Sequence, residues 1–210
     1  MDNSSPFDSL DSLSPTELKL AGFALAGAGL IAALLALGRW QRHRQQRDVR
    51  ALAVTSCAFD YLRDVLVPDG QGSALHVDFL LLTARGLIVV DLRDLAGNIF
   101  GGNQMNAWTV MNRAQRATFL NPQTGLYDRI AAVRLLAQEL PVEGRIVFTG
   151  RGRFPKGLPQ HTLMLDSLST EFPTSDRESM RGLLERWMPT WNKVKQSVAP
   201  SKPSWPKAAI

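Results

Sequence analysis

HVDFLLLTARGLIVVDLR, running from His76 to Arg93, decides how this chain is read. Two apolar runs, His76–Leu82 and Gly86–Arg93, are rich in Val, Ile, Leu and Phe. Thr83-Ala84-Arg85-Gly86 lies between them, which predicts a β-hairpin. If Leu82 and Leu87 close a four-residue loop, each outward step pairs another two residues, and Asp78 falls opposite Asp91. Directly opposed side chains on one face have Cβ atoms roughly 4.5–5.5 Å apart. Two carboxylates so placed repel, and a divalent cation such as Mg²⁺ or Mn²⁺ is the expected compensation. The same register sets His76 opposite Arg93, and Arg93 shares a face with Asp91 two residues back. One face then gathers Asp78, Asp91, His76 and Arg93. A register shifted by one residue puts the two aspartates on opposite faces. A plainer reading has each aspartate ending its strand or pairing with a nearby arginine, and composition alone does not separate the two.

Outward from the hairpin, Val49 to Leu66 reads as an amphipathic helix that stops near Pro68-Asp69-Gly70. Short extended pieces are predicted at Asn98–Gly101 and Trp108–Met111. Asn121-Pro122 precedes a helix over Tyr127–Leu140, where Ile130, Val133, Leu136 and Leu140 recur at helical spacing. Arg145–Thr149 is a strand, and Gly150–Gly157 a basic loop. Ser175–Trp191 is a last amphipathic helix with Ser175 or Asp176 near its cap. Ala199–Ile210 carries three prolines and reads as a loose tail.

Near the start, Leu20–Gly38 (LAGFALAGAGLIAALLALG) contains no charged or polar side chain. As a helix it is roughly 28 Å long, close to the ~30 Å hydrocarbon core of a bilayer. A core helix of that length shows a polar stripe, and a signal peptide starts basic, whereas this chain starts with Asp2, Asp8, Asp11 and Glu17 against Lys19. Arg39, Arg42, Arg44, Arg47 and Arg50 follow, with Trp40 at the expected interface. Positive charge stays inside, so the N-terminus is expected outside and the domain in the cytoplasm of a bacterium, anchored by a single pass through the inner membrane. Gly22, Gly27 and Gly29 offer a small-residue face for helix self-association, although a Gly/Ala-rich span is common composition. The expected organisation is a disordered tail at 1–17, a transmembrane helix at 18–40, a basic linker at 41–50, one domain at 51–195 and a Pro-rich tail at 196–210.

A net charge of +5 and a pI near 9.8 favour anionic partners, nucleic acid or anionic lipid. The single cysteine, Cys57, excludes an internal disulfide and argues against a thiolate metal site. It reads as a packed thiol, since no histidine lies near it in sequence. Arg151, Arg153 and Lys156 read as a solvated loop ahead of a phosphate contact, and Trp187 and Trp191 as helix packing ahead of a base-stacking platform. His43 and His161 have no visible partner in the sequence.

Several motifs occur in one order: VDFLLL with Asp78, GLIVVDLRD with Asp91 and Arg93, GNIFG at Gly97–Gly101, Trp108, Asn121-Pro122 and RIVFTGRGRFPKG at Arg145–Gly157. From about Tyr61 to Phe154 the chain resembles the nuclease-related (NERD) domain family, itself similar to the PD-(D/E)xK nucleases. The resemblance implies an α/β (α+β) fold, a restriction-endonuclease-like mixed sheet flanked by helices, here preceded by the transmembrane helix. It also implies membrane anchoring in bacteria, in agreement with Leu20–Gly38. By the same resemblance Asp78 and Asp91 bind Mg²⁺ or Mn²⁺ and act catalytically, with Arg93 where the family has Lys. Arginine can steady a phosphate oxyanion but cannot act as a base at neutral pH. Gly125 stands where the motif has Gln, with Gln123 two residues away. The family's early helix often supplies a Glu, and here only Asp60 and Asp64 are on offer. Two functions follow: a metal-dependent nuclease acting on DNA or RNA, or a degenerate domain that binds nucleic acid or protein at the membrane without cutting. A structural membrane-assembly subunit is a third.

Overall fold

The computed structural model describes residues 15–202, with the side chains of 15–28 and 43–44 excepted. The chain divides into two units between Arg50 and Ala51. Helix α1 (Pro15–Thr55) runs through the expected linker at 41–50 without a break. In its first unit Leu30, Ile31, Leu34 and Leu35 are each 60–65% exposed. Among the described residues no helix is long and apolar enough to cross a membrane. The span expected at Leu20–Gly38 lies partly outside the residues whose side chains are described, as does His43.

The helix expected over Val49–Leu66 ends early. After Thr55 the chain turns and becomes strand β1 (Asp60–Pro68). β1 pairs antiparallel with β2 (Ala74–Thr83), and pairing with a neighbour outweighs the weak helical periodicity of the segment. The predicted hairpin forms between β2 and β3 (Gly86–Arg93), with Leu82 opposite Leu87 and Phe79 opposite Val90, the register read from the sequence. β4 (Gly97–Phe100) and β5 (Ala107–Asn112) match the two expected extended pieces. A further strand, β6 (Gln115–Leu120), completes their meander.

Helix α2 (Pro122–Leu136) starts five residues before the expected Tyr127, because Asn121 caps it: its side-chain oxygen accepts from the Gln123 amide, and Pro122 occupies the first turn. β7 (Val142–Phe148) follows and pairs parallel with β3. Gly144 lets α2 settle on the sheet, since a Cβ there would lie 2.6 Å from Ile130 Cδ1 and 2.9 Å from Leu126 Cδ1. The basic loop contains β8 (Gly152–Arg153), and β9 (Thr162–Met164) extends the sheet beyond β7. A 3₁₀ turn (Leu165–Ser167) leads into α3 (Leu168–Glu171).

The last helix, α4 (Arg181–Ser197), begins later than expected, after an Asp176 turn whose carboxylate accepts from the Ser179 amide. It buries Trp187, Trp191 and Val194, so the two tryptophans serve packing. The start of the expected tail, β10 (Ala199–Pro200), pairs with Val65 and Leu66. Residues 203–210 of that tail, like 1–14 of the N-terminal tail, lie outside the described residues.

The result is a mixed α/β fold with a six-stranded sheet, β10-β1-β2-β3-β7-β9, and a four-stranded sheet, β6-β5-β4-β8. Strand alternation divides the main sheet's side chains. Leu80, Leu82, Leu87 and Val89 join Leu126, Ile130 and Val133 of α2 in one core. Phe79, Leu81, Ile88, Val90 and Leu92 join Ala51, Val54 and Cys57 in the other.

Candidate metal centre

Asp78 continues the row of Leu80 and Leu82, and Asp91 the row of Leu87 and Val89, so both aspartates project from the sheet face that α2 covers. One step beyond the Phe79–Val90 pair, the same register sets them opposite each other. Both are almost fully buried, at 1% exposure. A third aspartate joins the row. β1 pairs with β2 through Arg63–Phe79 and Val65–Val77, which leaves Asp64 opposite Asp78. Asp64 breaks that ladder with a left-handed backbone, φ +51°, a conformation that Asp tolerates better than most residues. Three neighbouring strands therefore present Asp64, Asp78 and Asp91 side by side.

His76 lies between the first two. Its Nδ1 is 3.4 Å from Asp78 Oδ1, and its Nε2 is 3.8 Å from Asp64 Oδ1. One ligand atom each from Asp64, His76 and Asp78 fall within 4.8 Å of one another, a spacing that suits a cation. The donor set, two carboxylate oxygens and an imidazole nitrogen, suits a divalent ion. Asp64 supplies the test of fit. Its Oδ1 is buried and accepts no hydrogen bond among the described residues. Burial pushes its carboxyl above the ordinary range, partly offset by Arg63, whose Nε donates to Oδ2 at 3.1 Å, while the charge of Asp78 raises it further. A cation bound there would supply what this oxygen lacks.

Asp91, paired with Asp78 in the sequence reading as a metal ligand, sits with two guanidinium groups. Arg93 grips it bidentately, Nε to Oδ1 at 3.0 Å and Nη2 to Oδ2 at 2.9 Å. Arg129 of α2 reaches Oδ2 at 3.4 Å. Asp78 Oδ2 accepts from the amide of Leu92 at 2.9 Å, which fixes that carboxylate against β3. Asp64 and His76 thus join Asp78 in the site. His76 was legible from the hairpin, and Asp64 was named as one of two candidates on a helix that is in fact a strand. The other, Asp60, accepts from Trp191 Nε1 at 2.7 Å and Lys195 Nζ at 3.1 Å and ties α4 to β1. Arg129 was missed, and its only sequence signal is its place one helical turn after Gly125.

The remaining sequence candidates lie elsewhere. Gln123 is buried, donating to Asn103 Oδ1 and to the Gln160 carbonyl, and joins two loops to the start of α2. Arg151 pairs with Asp94 at 3.1 Å, His161 packs edge-on to Tyr127, and Cys57 is buried with its thiol pushed up by desolvation. Among comparisons with known proteins, the family model described as nuclease-related domain matches residues 42–149, half of the chain. No curated protein and no solved structure matches.

Proposed function

Since this chain belongs to the nuclease-related domain family, we propose that it is a membrane-anchored nuclease that cleaves DNA or RNA with a divalent cation, Mg²⁺ or Mn²⁺, held by Asp64, His76 and Asp78. The observation that carries the reading is the buried, unsatisfied Asp64 Oδ1 beside His76 and Asp78. A divalent ion in such a site supplies Lewis-acid charge that acidifies water and offsets charge on phosphoryl oxygens. The chain's own residues hold and orient. Asp64 and Asp78 give the negative charge, His76 fixes the spacing, and the Leu92 amide keeps Asp78 in place. Arg93, at the end of β3 and 17% exposed in its side chain, is the group available to a phosphate oxygen. A guanidinium stays protonated, so Arg93 serves charge and not proton transfer.

Membrane anchoring belongs to the same proposal. Its supports are the apolar run Leu20–Gly38, the arginines that follow it, and the exposure of Leu30, Ile31, Leu34 and Leu35 on α1. The orientation has the N-terminus outside and the domain in the cytoplasm. A periplasm-only reporter that becomes active when fused after Ile210 overturns that orientation.

The alternative, a degenerate domain that binds nucleic acid or a protein partner without cutting, is favoured by one observation: Asp91 is engaged by Arg93 and Arg129. The two readings part on incubating the full chain with plasmid, single-stranded DNA and RNA in Mg²⁺ or Mn²⁺, beside Asp78→Asn. Cation-dependent cleavage lost in Asp78→Asn supports the nuclease. Retention of nucleic acid without cleavage supports the binding module.

A further inference from the structure

Gly125 stands near the start of α2, where glycine weakens a helix relative to alanine. The structure gives a reason for it. One turn on, Arg129 folds back so that its Nη1 donates to the Gly125 carbonyl at 2.8 Å. A Cβ on residue 125 would lie 3.1 Å from that same Nη1, so the guanidinium would have to yield by a few tenths of an ångström, and a longer side chain there crowds it further. The Nε of Arg129 donates to the His76 carbonyl at 2.6 Å. Two carbonyls on different elements thus fix the guanidinium, and in that position its Nη1 lies 3.4 Å from Asp91 Oδ2.

Arg93 is held differently. Among the described residues its side-chain hydrogen bonds run to Asp91, and it sits at the end of β3, so it can turn outward towards phosphate. Arg129 cannot leave without releasing the carbonyls of both His76 and Gly125. Its positive charge stays on Asp91 whichever way Arg93 points.

We propose that Arg129, admitted by Gly125, is a tethered cation that withdraws Asp91 from the metal ligand set and thereby sets the ion preference of the centre. The inference rests on the reading of Asp64, His76 and Asp78 as a cation site. With Asp91 withdrawn, an imidazole is one of three ligands, which favours a first-row transition ion such as Mn²⁺ over the oxygen-seeking Mg²⁺. With Asp91 released, a third carboxylate becomes available and the balance moves towards Mg²⁺. Arg129 is a positioning residue: it acts through Asp91 and through the backbone of the ligand His76.

The test is calorimetric titration of Mn²⁺ and, separately, Mg²⁺ into the full chain and into Arg129→Gln and Gly125→Gln. The second variant crowds the guanidinium from position 125 and replaces a helix-weakening glycine, so loss of folding does not mimic the effect. The expected result is a preference for Mn²⁺ in the unaltered chain that narrows by roughly tenfold in both variants, the lower end of outer-shell effects on metal sites. An unchanged preference in both variants, with the unaltered chain binding Mn²⁺, overturns the role of Arg129 and leaves the cation site standing. Binding gained only in the variants overturns the three-ligand site and supports the role of Arg129. No binding in any of the three proteins overturns both.

Discussion

Asp64 faces Asp78 across β1 and β2 while its own backbone leaves the strand conformation, at φ +51°. A left-handed backbone at the centre of a paired strand is costly for most side chains and cheaper for Asp and Asn, whose short polar groups bond locally. The position therefore selects its residue twice, by backbone and by charge.

Substitution at Asp64 separates those two demands. Asp64→Asn keeps a residue suited to the left-handed backbone and is expected to be more stable in urea than Asp64→Val. Asp64→Val puts a β-branched residue into the left-handed region and costs roughly 1–2 kcal/mol from the backbone alone. Equal stability of the two variants contradicts the backbone argument.

Gly125 and Arg129 are expected to couple energetically. Gly→Ala inside an exposed helix ordinarily stabilises by about 0.8–1 kcal/mol. Gly125→Ala falls short of that in the parent, because the new Cβ meets Arg129 Nη1 at 3.1 Å, and reaches it in an Arg129→Ala background. A double-mutant cycle measured by urea unfolding gives the difference, and a coupling indistinguishable from zero removes the contact from the account.

The Asp60 carboxyl gives a pH signature. Burial pushes it up, but the hydrogen bonds from Trp191 and Lys195 and the Tyr61 amide outweigh burial and leave it below its ordinary value of 3.8. A carboxyl lowered in the folded state contributes stability that is present above the unfolded value and is lost as pH falls through the folded one. The parent is therefore expected to exceed Asp60→Asn in stability at neutral pH, with the gap closing below about pH 4. Thermal unfolding across pH 3–7 measures this, and a gap independent of pH contradicts it.

The hairpin of β2 and β3 was legible because its turn and its two apolar runs specify register together, and register places Asp78 and Asp91 without any tertiary information. β1 was not legible. Val49–Leu66 carries apolar residues at spacings that suit a helix, and only pairing with β2 makes Asp60–Pro68 a strand. Read as a helix, the segment conceals the position of Asp64, since a helix cannot set it opposite Asp78. β6 was missed because its inward-facing apolar residues are only two, Ala117 and Phe119, on an edge strand whose Gln115, Arg116 and Thr118 are polar and exposed, too short an alternation to stand out. Arg129 joins Asp91 only through the packing of α2 on the sheet, a contact thirty-eight residues long in sequence. Local patterns carry no information about it.

Mn²⁺ titration of the full chain beside Asp64→Asn, His76→Ala and Asp78→Asn asks whether Asp64, His76 and Asp78 hold a divalent cation. One Mn²⁺ bound per chain is expected, with affinity reduced about tenfold or more in each variant. Mn²⁺ binding of equal strength in the parent and all three variants, or none in the parent, contradicts it.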